Sequence, residues 1–307
     1  MSNGVYVGSG ETAHKVAGMY IGVDGLARKV VKGYIGADGV ARQFYSAAQP
    51  FPYTYTGTYT ESELSIGGVA YTMLTITSSG TLTVGRPIDA DVWLCGSGMN
   101  GGTANTSAFG GGGGGGYVAS ANVQLSGSTS CVIGAAGSGA TSFGDLTATG
   151  GVVGAPGFGG NGGSGGGGGA SSSSAAPAGT GAGTSTIPSA FGLNYAHCAG
   201  GGGGAGIWAG VSSFSGGAGG SNGANGGTAT MVSSGLVHGG IGGEKGGGSG
   251  GAATNAGALA NNGGNATFYG SGGGGGGSYV SSVVMLGMGG SGYQGVIYIR
   301  WKKEDAA

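Results

Sequence analysis

The chain has 307 residues, 86 of them glycine, and 10 Lys and Arg stand against 11 Asp and Glu for a formal charge of −1. That balance offers no clustered basic surface for nucleic acid, and no apolar run approaches the roughly 20 residues of a membrane-spanning helix. Collagen is excluded as well, because the glycines follow no Gly-X-Y period and there are only 6 prolines.

The start, Met1-Ser2-Asn3-Gly4, has neither a basic nor an apolar signal region, so synthesis in a reducing cytosol is expected. A tandem repeat follows. Val16–Arg28 and Val30–Arg42 align with a period of about 14 residues, pairing Tyr20 with Tyr34, Asp24 with Asp38, Gly25 with Gly39 and Arg28 with Arg42. In each copy an Asp-Gly pair separates apolar runs, the pattern of a type I′ turn, which needs positive φ at both central residues. Two linked β-hairpins ending near Tyr45 are predicted, with the two Asp residues as turn formers rather than catalytic groups. So short a module has little core of its own. It suits docking on a partner, and Tyr20, Arg28, Tyr34 and Arg42 are its candidate attachment residues.

Residues 46–52 read as a linker, with Pro50 and Pro52 in it. Tyr53–Thr56 and Thr58–Thr60 alternate aromatic and Thr, which suits a pleated, half-buried surface. Tyr71–Thr77 and Thr81–Val84 flank Ser78-Ser79-Gly80 as a predicted hairpin. Asp91-Val92-Trp93-Leu94-Cys95 is an apolar strand that runs into the glycine body. Asp89 and Asp91 share one face of it, and polar residues at a strand's entrance explain them more simply than an acid–base pair. The closing Gly295–Trp301 is a strong strand, expected to pair with Val92–Cys95.

Between these two strands lie the runs Gly110–Gly116, Gly165–Gly169, Gly200–Gly204 and Gly272–Gly277, and from Leu94 to Ile299 the only Asp, Glu, Lys or Arg residues are Asp145, Glu244 and Lys245. Disordered chains combine low hydrophobicity with high net charge, whereas this one is 38% hydrophobic. Apolar pieces such as Ile207-Trp208 and Val283-Val284-Met285-Leu286 interrupt the glycines, as if to pin layers of a packed fold. Without Cβ atoms, glycine segments can pack backbone on backbone, with N–H and C=O groups paired between neighbours. The expected fold is all-β, with N-terminal hairpin repeats (1–48), a strand-rich region (49–95) and a glycine-rich, polyglycine-II-like body closed by a C-terminal strand (96–307). The sheet is expected to be β-sandwich-like, with essentially no helix.

The usual chemical motifs are missing. G-x-G-x-x-G patterns are frequent here, but no helix or spaced acidic residue follows any of them. Lys245 lies in Gly-Glu-Lys-Gly, outside a phosphate-binding pattern. Cys95, Cys131 and Cys198 are widely spaced, which points to buried free thiols. His197 and Cys198, as chain neighbours, point to opposite faces. No catalytic residue, cofactor or metal is therefore expected. Phe143, Phe158, Phe191, Tyr195, Trp208, Phe214, Phe268 and Tyr269 read as plugs between glycine layers. A second role, at loop tips, makes Ser189–Phe214 a recognition surface with Phe191, Tyr195, Trp208 and Phe214 as candidate contacts.

Asp91–Gly98, the glycine runs and Gly295–Trp301 together resemble the glycine-rich domains of bacteriophage tail fibre and tail tip proteins, over roughly residues 65–302. The Tyr-Ile-Gly-x-Asp-Gly-x-Ala-Arg repeats are similar to short repeats in tail proteins of phages of Gram-positive bacteria. More distantly, the body is similar to phage adhesins in which polyglycine-II helices pack in a lattice and loops between them contact the host receptor. The resemblance implies a virion structural protein of the tail, a homo-oligomer (a trimer by analogy), binding other tail proteins and a protein or glycan receptor on the bacterial surface. It implies no enzyme, nucleic-acid contact or membrane insertion. A capsid decoration or head-fibre protein and an extracellular glycine-rich structural protein are the alternatives.

Overall fold

The computed structural model of the protein describes residues 6–9, 12–15, 20–23, 26–30, 32–37, 40–46, 51–169, 177–208, 212–232, 236–254 and 259–303. The chain divides into two compact units, Met1–Pro52 with Lys302–Ala307, and Tyr53–Trp301. The division expected at residue 95 falls inside the second unit, because one strand runs on into the glycine body there.

The first unit contains three separate hairpins: β1 (Tyr6–Ser9) with β2 (Thr12–Lys15), β3 (Tyr20–Val23) with β4 (Leu26–Lys29), and β5 (Lys32–Ala37) with β6 (Val40–Ser46). The last two are the expected pair. The first is an additional copy in the same register: Tyr6 faces Lys15, Tyr20 faces Lys29 and Tyr34 faces Gln43, while Val7, Ile21 and Ile35 face His14, Arg28 and Arg42. Its turn lacks the Asp-Gly pair that marks the other two, so turn chemistry alone does not reveal it. Asp24-Gly25, Asp38-Gly39 and linker residues 47–50 lie outside the described residues.

In the second unit, β7 (Tyr53–Tyr55), β8 (Tyr59–Ile66), β9 (Val69–Ile76), β10 (Gly80–Cys95), β11 (Val118–Val132), β12 (Thr141–Phe143) and β13 (Leu146–Ala148) precede most of the glycine body. Short strands follow: β14 (Gly206–Trp208), β15 (Ser212–Ser215), β16 (Thr230–Val232), β17 (Leu236–Val237), β18 (Ala253–Thr254), β19 (Leu259–Ala260), β20 (Ser278–Val280) and β21 (Val284–Leu286). The chain then closes with β22 (Val296–Lys302).

An eight-stranded base sheet has the order β13-β12-β11-β10-β22-β9-β8, with β7 on the first half of β10. The expected closing pair is present and antiparallel, from Asp91 opposite Arg300 to Cys95 opposite Val296. The hairpin expected around Ser78-Ser79-Gly80 is not: β22 lies between β9 and β10, so those strands are not neighbours. The hairpin is instead β8–β9, turned by Gly67 and Gly68 at φ 58° and 80°, as a two-residue type I′ turn requires. The β10–β11 register shifts between Val84 and Ile88, where Pro87 falls at the irregularity that tolerates a residue without an N–H. Central strands are buried on both faces, Val92, Leu94, Ile297 and Ile299 on one and Trp93, Cys95, Val296 and Tyr298 on the other.

Beyond this sheet the glycine body is a hydrogen-bonded lattice. The segment 110–117 shows its rule. Gly110, Gly113 and Gly116 donate to the carbonyls of Gly276, Gly273 and Gly270; Gly111, Gly114 and Tyr117 to those of Ala155, Val152 and Thr149; Gly112 and Gly115 to those of Gly167 and Ser164. Each neighbour therefore receives every third amide, the periodicity of a threefold extended helix. The same segment accepts from 96–102, 160–163 and 201–204, which gives it six neighbours: 96–104, 149–155, 157–163, 164–169, 198–205 and 270–278.

Extending these pairings places the segments in four rows. The first holds 149–155, 157–163 and 177–182. The second holds 96–104, 110–117, 164–169 and 223–229. The third holds 287–295, 270–278, 198–205 and 216–220, and the fourth 260–266, 246–252 and 237–243. The four interior positions are 110–117, 164–169, 270–278 and 198–205. These are the four longest glycine runs of the sequence.

That coincidence has a steric cause. A Cβ on Gly201 would lie 1.9 Å from the Gly273 carbonyl oxygen, and one on Gly113 would lie 2.1 Å from that of Met99. Within the glycine runs, interior positions face a neighbouring backbone in every direction and can carry nothing larger than hydrogen. Outer rows have a free side, and residues with side chains are placed there: Val153 in the first row and Ile241 in the fourth point into solvent. Asparagines supply carbonyl acceptors where the lattice has no further neighbour. Asn262 and Asn265 accept from the amides of Met288 and Ser291, keeping the three-residue step. In the four interior segments apolar side chains are confined to the ends, so the glycine runs are held by amide hydrogen bonds, each contributing about 1 kcal/mol net, against the high ordering entropy of glycine.

Candidate functional site

The lattice segments run alternately away from the base sheet and back to it, so the connections gather at two ends. At the sheet end are residues 183–197, 221–222, 244–245 and 267–269. At the far end, the tip, are residues 105–109 and the short strands β14–β21.

The sheet end receives two of the expected contact residues. Phe191, in a short 3-10 turn, is buried in a cluster with Met73, Trp93, Cys95, Cys198, Val296 and Tyr298. Tyr195 is half-buried and stacked on His197 at 5.4 Å between ring centroids, with the Lys245 ammonium 5.3 Å from its own. Neither forms a surface with Trp208 and Phe214, which lie at the opposite end of the lattice. The expectation of one recognition face over Ser189–Phe214 is corrected accordingly: residues 198–205 between them are an interior segment of the lattice.

Arg300 fastens this end. It bonds the Asp91 carboxylate through Nε at 2.9 Å and Nη2 at 2.8 Å, donates through Nη1 to the Ala190 carbonyl, and lies over the rings of Tyr71 and Phe191. Asp91 is thus an ion-pair partner on a strand. Replacing Arg300 with Ala is expected to cost about 2 kcal/mol, the scale of charge-assisted hydrogen bonds. An unchanged urea midpoint for Arg300→Ala would remove this clamp from the account.

His197 is fully buried here, its Nε2 2.9 Å from the Tyr298 hydroxyl and its ring packed among Trp93, Tyr195, Phe268 and Tyr298. Its Nδ1 has no hydrogen-bond partner among the described residues. Burial pulls its pKa down to about 4. Cys198 lies against Cys95 instead, and burial pushes its thiol well up. His197 and Cys198 therefore face different partners and form no couple. All three cysteines are buried free thiols, and among the described residues no group of His, Cys, Asp and Glu could hold a metal ion.

The tip is built around a five-stranded sheet of order β16-β15-β14-β20-β21, beside a three-stranded one of order β17-β18-β19. Ile207 and Tyr279 pack with Ala205, Val237 and Ala253 between them. On the other face, Phe109, Phe214 and Ala229 form a second cluster with the half-buried Trp208. Here Phe109 lies against Gly206, where any Cβ would meet its ring at 2.1 Å. Phe214 is buried, so of the four expected contacts only Trp208 is both at the tip and partly open to solvent.

Other tip residues are more exposed: Met231, Leu259, Val283, Val284, Met285, Leu286 and Met288. Val283–Leu286 does not pin layers, as its apolar character suggests, because β21 is the edge of its sheet. Composition does carry one clue to this end. All of residues 99–116, 155–178, 203–219, 228–240 and 250–290 lack Asp, Glu, Lys and Arg, so the tip is uncharged. Asp145 lies at the β12–β13 turn, and Glu244 and Lys245 lie at the sheet end.

In the hairpin unit, Tyr20, Ile21 and Tyr34 are solvent-exposed. Arg28 and Arg42 sit in register opposite Ile21 and Ile35. No protein-family model and no curated protein matches the chain. Among the described residues no helix is long and apolar enough to cross a membrane.

Proposed function

We propose that the protein is a bacteriophage tail component, a fibre or tail-tip protein, in which the glycine lattice is a rigid spacer carrying a host-binding tip. The observation that supports this most is the segregation of roles along one unit: a charged, ion-paired base sheet, a lattice with a glycine interior, and an uncharged tip of loops and short strands with exposed apolar residues. Large exposed apolar surface at one end of an ordered scaffold is characteristic of interaction sites. The hairpin unit, with three like modules and exposed Tyr20 and Tyr34, is assigned to attachment on other tail proteins. A homotrimer is proposed by analogy with tail appendages, and the protein is read as structural rather than enzymatic.

Two experiments test this reading. Purified protein should bind the cells that adsorb particles carrying it and should compete with those particles for adsorption; absence of both would remove the receptor-binding role. Deleting residues 1–45 should abolish incorporation into particles while the lattice amides stay protected from exchange. Incorporation of the truncated chain would overturn the assignment of attachment to the hairpins.

A further inference from the structure

The edge of the tip sheet is open in a way that specifies its partner. β21 pairs with β20 on one side, Val280 opposite Val284, Tyr279 opposite Met285 and Ser278 opposite Leu286. Among the described residues no strand pairs with its outer side. In the same antiparallel register, Gly287 donates to the Gly277 carbonyl and Ser281 to that of Val283. Hydrogen-bonded pairs alternate along such a ladder, which puts Tyr279 and Met285 in the bonded class. The amides and carbonyls of Val284 and Leu286 therefore point outward, away from β20.

Natural sheets protect such an edge with charge, proline, a bulge or a covering element. None of the first three is in Val283-Val284-Met285-Leu286-Gly287-Met288, and the side chains of residues 283–286 and 288 are exposed. A cross-strand row Met231–Phe214–Gly206–Ser278–Leu286 continues over the sheet behind it. In that row the buried Ser278 Oγ has no hydrogen-bond partner among the described residues.

We propose that β21 is a strand-addition site that takes an extended, uncharged polypeptide segment exposed on the host surface. This rests on the receptor-binding reading of the tip and names the receptor's chemistry: protein, not glycan. Outward backbone donors and acceptors in β spacing match another strand, and flexible Met and branched aliphatic side chains match apolar residues on alternate positions of it. Sugar rings are held by side-chain hydrogen-bonding groups, and the exposed edge has almost none. With no Asp, Glu, Lys or Arg at the tip, polyanionic surface polymers gain no counter-charge there. A second copy of the chain presenting the same edge is the other occupant of this chemistry, and its signature in the test is dimerisation that depends on concentration.

The test uses full-length protein and the cells that adsorb the particles. Val284→Pro removes one outward amide while leaving the ladder to β20 intact, and Leu286→Lys keeps every backbone donor but adds an edge charge. Both should lower cell binding about tenfold or more, whereas Val284→Thr should stay within about twofold of the parent protein, since it keeps the backbone group. Protection of the Gly113, Gly201 and Gly273 amides shows that each variant is folded. Digesting the cells' surface proteins with a protease should abolish binding, and raising NaCl from about 50 to 500 mM should change it less than about twofold, there being no ion pairs to screen. Full binding by the folded Pro and Lys variants, or to digested cells, would overturn strand addition while leaving the tip a receptor site. Concentration-dependent dimers lost in Val284→Pro would assign the edge to self-association. Failure of the parent protein to bind any adsorbing cells would instead overturn the receptor reading itself.

Discussion

Replacing Gly201 with alanine is expected to destabilise the protein by about 4 kcal/mol or more, beyond the usual range for a surface or core methyl. Gly201 sits in the interior segment 198–205, donating to the Gly113 carbonyl at 2.9 Å and accepting from the Gly167 amide at 2.8 Å. An added Cβ would meet the Gly273 oxygen at 1.9 Å and its carbon at 2.4 Å. Both contacts are with backbone, so no rotamer change relieves them, and the neighbouring segment would have to move. That movement would break hydrogen bonds on several sides at once, since every segment in the interior shares its amides among neighbours. The matched control is Gly227→Ala in an outer segment, where the nearest atom is the Ala218 nitrogen at 3.2 Å. A small local shift accommodates that change, and the loss of unfolded-state entropy offsets part of it. Urea unfolding and hydrogen exchange on both variants give the comparison. Equal stabilities would show that the interior is not packed backbone on backbone.

Acid should weaken the sheet end through His197. Its pKa is about 4 in the folded protein, against 6.5 for the exposed group. Above pH 6.5 neither state holds the proton, and the full stability is present. As pH falls through 6.5 the unfolded chain binds a proton that the native site refuses until about pH 4, so stability drops across that window and levels off below it. The difference corresponds to about 3 kcal/mol. His197→Gln keeps a hydrogen-bonding group near the Tyr298 hydroxyl and removes the titration. Unfolding free energies measured between pH 7.5 and 4 should therefore fall more steeply for the parent protein than for His197→Gln. Parallel curves would mean that protonation at His197 is not coupled to folding.

These two sites differ in how far the sequence discloses them. Gly201 lies in a run of five glycines, Gly200–Gly204, and a run of residues without Cβ already says that something approaches closely on every side. The partners are another matter. Nothing in the spacing says that Gly201 meets Gly113 and Gly273, because glycine carries no side chain that could label one neighbour over another. His197 is still less legible. A lone histidine beside a cysteine has no pattern, and its burial depends on Trp93, Tyr298 and Phe268, which arrive from three distant parts of the chain.

The candidate contacts divide along the same line. Trp208 and Phe214 are at the tip, Phe191 and Tyr195 at the base, although all four fall within one short stretch of sequence. A segment of lattice crosses the whole body in a few extended residues, so closeness along the chain does not keep side chains at one end. Edge exposure of Val283–Leu286 is likewise invisible beforehand: an apolar run reads as core until the strand order makes it an outer strand.

What the sequence by itself determined was the material of each part. Asp-Gly turns and alternating apolar residues specify two of the hairpins, β-branched and aromatic runs specify the closing strands β10 and β22, and long glycine runs specify segments that must be surrounded by backbone. Charge composition also determined that the tip would be neutral. Only the tertiary structure decided the rest: the third hairpin, the insertion of β22 between β9 and β10, the four-row order of the lattice, and which apolar residues face water. The reason is physical. Backbone hydrogen bonds are the same for every residue, so a fold held mainly by them carries its pairing scheme in three dimensions and not in the identity of its side chains.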